Sequence, residues 1–144
     1  MRKDRIEFLV KTAELRQRLP DKERVKSMLT SAEINAAVVN KIPMGEDSAT
    51  VIFREMYESI RQLGDGQWWL LGYEPLNHEV CLEILKESDI RDKVKLNHLT
   101  RFKKIRNDIN YRGFRASIAQ AQEILEFWNV CGKDILAILK KHAK

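Results

Sequence analysis

The sequence contains no run of about 18 apolar residues, the length a helix needs to cross a bilayer, so it holds no candidate membrane span. Three prolines and six glycines in 144 residues leave few places where a helix must stop. Two cysteines, Cys81 and Cys131, do not make a disulfide framework, and both sit in apolar helical patterns where a buried free thiol is expected. No GxSxG elbow, paired CxxC or HExxH is present. The GDGQ stretch at Gly64 follows a helical pattern rather than a strand, so a nucleophile-elbow hydrolase and a phosphate loop both lack their signature. His78 and Cys81 are three apart on one helical face, with His98 and Cys131 elsewhere. A structural zinc wants four ligands, and neither a metal nor another cofactor is expected. The opening MRKDRIEF lacks the apolar core of a secretory signal, which points to an intracellular, cytoplasmic protein.

What is present is helical periodicity. Hydrophobic residues make up 44% and charged residues 33%, a balance that suits one domain over residues 1–144 with a proper core. Asp4 to Arg18 carries Ile6, Leu9, Val10 and Ala13 on one face, and Pro20 ends it. Asp21 is placed to cap a second helix bearing Val25, Leu29, Ala32, Ala36 and Val39. A third helix, from Asp47 or Ser48, carries Ile52, Phe53, Met56, Ile60 and Leu63. No turn signal separates Gly64 and Gly66 from Trp68, Leu70 and Leu71, so it is expected to continue, bent, to Gly72. A turn around Pro75 leads to a short helix with Val80, Cys81, Ile84 and Leu85. Ser117 and Gln120 form a capping box for a last helix running to about Lys141, with Trp128 mid-stripe. No alternating strand pattern appears. The fold class expected is all-α, an up-and-down bundle of five or six helices.

The charge is unevenly placed. Arg91 to Arg115 holds nine Lys or Arg against two Asp or Glu, a local +7 in a chain whose total is +5. Such a block is a candidate footprint for a polyanion, and a solvated helix face is the alternative. Within it, Leu99, Phe102, Ile105 and Ile109 form an apolar stripe, Arg106 lies at its edge, Asn110 follows Arg106 by four, and Gly113 is placed to end the helix. From the residues alone, Arg106 reads first as a cap or a partner of Asp108, and second as a phosphate ligand held by Glu55 or Glu58 of the third helix. Tyr111 serves equally as a core residue with a wet hydroxyl or as a site residue.

The stretch RNDINYRG, from Arg106 to Gly113, ends a basic helix and precedes a long last helix. It resembles the signature of the HEPN (higher eukaryote and prokaryote nucleotide-binding) superfamily of small helical domains, in which an Arg followed by a polar residue precedes a His by four to six positions. Arg106 and Asn107 match the first part, and Tyr111 stands where the His is expected. GYEPLNHEVCLEIL, from Gly72 to Leu85, resembles the turn and short helix that many members carry before the signature helix. The resemblance covers roughly residues 49–139 and implies RNA or nucleotide binding around Arg106. It extends to metal-independent ribonuclease activity of the toxin or RNA-processing type, with Arg106 and Tyr111 as the catalytic pair. Lys103, Lys104, Arg106, Asn107, Asn110 and Arg112 are the expected nucleic-acid-binding residues. It further implies a homodimer, for which an exposed apolar face using Trp68, Trp69 or Phe114 would serve. A phenol holds its proton at neutral pH where an imidazole does not, so Tyr111 in the His position favours binding over cleavage. It also favours a second reading: a non-catalytic interaction module acting beside a nucleotidyltransferase partner.

Overall fold

The apolar stripes fold as helices. The longest, α3 (Ala49–Leu70), is the axis of the computed structural model, which describes residues 1–144. Before it come α1 (Lys3–Lys11) and α2 (Lys22–Asn40). After it come α4 (Glu79–Leu85), α5 (His98–Arg112), α6 (Ile118–Phe127) and α7 (Lys133–His142). A 3-10 turn over Lys93–Asn97 leads into α5, and a π-helical turn over Trp128–Gly132 joins α6 to α7. The protein is an all-α helical bundle, and no helix is long and apolar enough to cross a membrane.

α3 is buried on several sides because partners cover more than one face: α2, α4, α5, α6 and α7 all pack on it. Phe53 on α3, Phe102 on α5 and Phe127 on α6 make an edge-to-face chain through the main core. Their ring centroids are 5.9 and 5.4 Å apart, the arrangement that aromatic quadrupoles prefer. The two polar residues of the core, Thr50 and Ser59, are satisfied: Asn35 Nδ2 donates to Ser59 Oγ at 2.9 Å, and the Ala116 amide donates to Thr50 Oγ1 at 3.0 Å. The second contact ties the α5–α6 turn to the start of α3. Asp21 caps α2 by accepting from the Arg24 amide at 3.0 Å, and Ser117 with Gln120 closes a reciprocal capping box on α6. Gly113 ends α5 in the left-handed region, φ 66°, where a side chain would be strained. Cys81 and Cys131 are buried free thiols, and burial pushes them up to about 12 and about 11.

The amino-terminal segment departs from its periodicity. α1 stops at Lys11 instead of continuing to Arg18, with Ala13 in a left-handed conformation at φ 60°. The chain then forms a three-residue strand, β1 (Leu15–Gln17), antiparallel to β2 (Tyr73–Pro75), with Leu15 opposite Pro75 and Gln17 opposite Tyr73. The expected absence of strand and the simple turn around Pro75 are corrected by this ribbon. Its cause is tertiary: β1 and β2 flank a small second core of Leu9, Leu15, Trp68, Val80 and Ile84, which straightening α1 would open. Trp68 and Trp69 are buried, so they are not part of an exposed dimer face, although Phe114 is about half exposed.

α3 runs unbroken through both glycines because one of them is needed. A Cβ on Gly64 would lie 2.1 Å from the Cys81 carbonyl oxygen of α4, whereas one on Gly66 would meet nothing nearer than 3.6 Å. Gly64→Ala is expected to lower stability by about 1–3 kcal/mol through overpacking. Gly66→Ala should raise it by about 0.4–1 kcal/mol by restricting the unfolded chain. Urea denaturation of the pair checks both signs. Trp128, 2% exposed, should cost about 3–5 kcal/mol on replacement by Ala, read from the same transition.

Candidate functional site

The Gly64 contact fixes where α4 begins. With no side chain on α3 at that point, the α4 backbone lies against it, and Trp68 Nε1 donates to the Val80 carbonyl at 2.8 Å in a buried hydrogen bond. Asn77 Oδ1 accepts from the Val80 amide at 3.1 Å and shapes the entry. His78 and Glu79, at the start of α4, are thereby held beside α5. The apolar face of α5 (Leu99, Phe102, Ile105 and Ile109) packs inward, which turns Lys103, Arg106 and Asn107 to its partly exposed flank.

The result is a cleft of about 280 Å³, at the small end of ligand cavities. Tyr57 of α3 forms one wall, His78 and Glu79 a second, and Lys103, Arg106, Asn107 and Tyr111 of α5 the third. The Arg106 guanidinium carbon lies 5.6 Å from the centroid of the Tyr57 ring, a cation–π distance. Tyr57 is 2% exposed, and burial pushes its hydroxyl up to about 12, with Arg106 and Arg61 pulling the other way. Tyr111 is 78% exposed at the rim. A larger hollow, about 680 Å³, runs along α2 past Ser27, Thr30, Ile34 and Val38, but its only charged groups are Glu23 and Lys26.

Beside the cleft sits a charged cluster on α3. Arg61 is held between Glu58 and Asp65, the latter at 3.5 Å. Burial works against the Arg61 charge, yet the hydrogen bonds that Arg61 donates to Glu58 and the nearby acids raise it above its ordinary value. Burial raises Asp65, with Arg61 opposing. His78 is lowered, first by burial and then by the charges of Arg61 and Arg106, with Glu58 and Asp65 acting against the shift.

Several expected site residues fall elsewhere. Glu58 is turned to Arg61 rather than to Arg106, and Asp108 meets Arg112 at 3.9 Å. Asn107 lines the cleft. Asn110 is exposed and outside it. Lys104 and Arg112 are also exposed and outside the cleft. The +7 segment is largely neutralised at short range. Arg91 pairs with Asp134, Lys93 with Asp89, Lys95 with Asp92 and Glu126, Arg101 with Glu123, Lys103 with Glu79, and Arg112 with Asp108. Lys104, Arg106 and Arg115 remain without a carboxylate. Tyr57, His78 and Glu79 were not among the expected site residues. Of the three, only His78 stands out in the sequence, through its helical spacing to Cys81, and with no metal expected it reads as a residue bordering the turn at Pro75.

Arg106→Ala should cost no more than about 1 kcal/mol, the scale of an unburied cation–π contact, in a urea unfolding experiment. The folded value of His78 lies below its unfolded 6.5, so the unfolded chain takes the proton more readily. Stability should therefore fall as pH drops from above 6.5 to the folded value, and His78→Asn should flatten that part of the stability profile. Comparison with protein-family models, with curated proteins and with solved structures finds no match to this chain.

Proposed function

We propose that the cleft between α3, α4 and α5 binds a phosphate of RNA or of a nucleotide. The observation that carries the reading is Arg106: a guanidinium without a carboxylate partner, lying over the Tyr57 ring in a cleft that also holds Lys103 and Asn107. Its planar fork suits a phosphate, and Asn107 offers a donor and an acceptor for a second phosphate oxygen or a ribose hydroxyl. Tyr111 at the rim presents an aromatic face on which a base can stack. The resemblance of RNDINYRG to the HEPN signature supports the same site independently of the geometry. Exposed Phe114 and Tyr111 next to the cleft suit a homodimer whose two clefts are neighbours.

The second reading, a non-catalytic module acting beside a nucleotidyltransferase, draws support from two observations. Tyr111 replaces the expected His of the motif, and carboxylates already neutralise six of the nine basic residues. Under that reading, Arg106 is a contact for the partner or for its nucleotide.

Fluorescence anisotropy of a labelled single-stranded RNA tests the leading reading. Affinity should fall steeply with salt, as counterion release requires, and Arg106→Ala should abolish binding at a salt where the wild type is half saturated. Substituting Lys103 and Lys104 together by Ala should flatten the salt slope by about one to one and a half. Glu79→Gln should tighten binding, because Glu79 holds Lys103 at 3.6 Å and repels phosphate. RNA affinity unchanged in Arg106→Ala would refute the site.

A further inference from the structure

We propose that His78, brought to the cleft from the start of α4, is the proton-transfer group of this site and takes the 2′-hydroxyl proton of an RNA strand whose adjacent phosphate lies on Arg106. The inference rests on the reading of the cleft as an RNA site and goes beyond it. It assigns cleavage to a residue outside the RNDINYRG motif, from a different helix.

The ground is what the three walls bring together. An imidazole, a guanidinium and an amide share one cavity of about 280 Å³: His78, Arg106 and Asn107. Of the side chains in that cavity, only the imidazole belongs to a class that titrates near neutrality. Tyr57 holds its proton up to about 12 because it is buried, and Glu79 is engaged with Lys103. Tyr111 projects into solvent at the rim. The position of His78 is not accidental to a mobile loop. Gly64 against Cys81 and the Trp68 hydrogen bond to Val80 fix the first turn of α4 on α3.

The electrostatics fit the role. Burial comes first in favouring the neutral form of His78, Arg61 of α3 and Arg106 of α5 add to it, and Glu58 and Asp65 of α3 oppose them. The imidazole is therefore a free base at neutral pH before substrate binds. A phosphate bound on Arg106 adds negative charge nearby, which favours the proton's arrival on His78 as the reaction proceeds.

The step balances without a co-reactant. His78 removes the proton from the 2′-hydroxyl, and the oxygen's electron pair forms the O2′–P bond. The P–O5′ bond breaks and its electron pair leaves with O5′, which takes a proton from solvent. His78 then releases its proton to solvent. The products are a 2′,3′-cyclic phosphate and a 5′-hydroxyl end. Arg106 holds the phosphorane charge.

The test uses the full chain and two labelled probes of one mixed sequence, a single-stranded RNA and its DNA counterpart, with binding and cleavage measured in parallel. The expected result is that wild type binds both and cuts only the RNA, leaving a cyclic phosphate. His78→Ala should bind RNA within about twofold of wild type and cut it about 10²–10⁴-fold more slowly. Added imidazole should restore part of the rate. At limiting RNA, where the rate reports the free protein, the rate of wild type should rise with pH through a midpoint below 6.5, and His78→Ala should lose that limb. Cleavage by His78→Ala at the wild-type rate overturns the inference, as does RNA binding by wild type with no cleavage. In both cases phosphate binding at Arg106 stands. Absence of RNA binding by wild type overturns the function proposed for the cleft, and the assignment of His78 with it. Circular dichroism of His78→Ala establishes that a lost rate is not a lost fold. If that variant does not fold, His78→Gln carries the same comparison.

Discussion

The contact between the α3 backbone at Gly64 and the Cys81 carbonyl of α4 is the constraint on which the rest of the site depends. A single methyl group there would collide with main-chain atoms, which cannot swing aside as a flexible side chain can. Removing it lets α4 lie directly on α3, close enough for Trp68 to donate to Val80. The same face of α3 carries Tyr57, Arg61, Gly64 and Trp68 at successive turns. One helix face thus supplies the seat for Arg106, a charged cluster, the α4 contact and its hydrogen-bonded lock. The β1–β2 ribbon closes over the far side of Trp68 through the small second core.

The electrostatics divide into two layers. The surface layer consists of ion pairs between exposed side chains, each worth about 0–1 kcal/mol and weakened by salt. Their main consequence is that the +7 segment presents less free positive charge than its composition suggests. The inner layer is Glu58, Arg61 and Asp65, where Arg61 is mostly covered and its acids compensate for the loss of water. Arg106 belongs to neither layer. It rests on an aromatic face and keeps its hydrogen-bonding edge unspent, which is the state expected of a residue that waits for an anion.

Much of the helical layout was legible because its signals are local. The stripes of α2, α3 and α5, the Asp21 cap, the Ser117 capping box and the Gly113 stop all lie within a few residues of the feature they determine. What escaped depends on contacts between distant residues. A three-residue strand has no period to detect, so β1 merges with the stripe of α1 in the sequence, and only Ala13 and the pairing with residues 73–75 separate them in the structure. The net charge of residues 91–115 was readable, but its neutralisation by Asp134, Glu126, Glu123 and Glu79 was not, since those partners lie in α4, α6 and α7. Trp68 and Trp69 are candidates for a dimer face only through the resemblance, and both are covered, one by the second core and one by the main core. At the site, spacing on α5 suggested Arg106 with Asn110. The cleft holds Arg106 with Asn107 and Tyr111, which the motif also named, and adds Tyr57 and His78, a meeting of three helices that no single stretch of sequence encodes.

The central claim is that this meeting of α3, α4 and α5 is the phosphate site. An NMR titration of the isotope-labelled protein with uridine monophosphate tests it most directly, because it reports on every residue at once and requires no turnover. Binding in the cleft gives saturable shifts of the Arg106 Nε–H and the His78 ring, with backbone shifts confined to residues around 57, 78–79 and 103–111. Saturable shifts centred on the α2 hollow near Thr30 and Ile34, with the Arg106 and His78 signals unmoved, would contradict it.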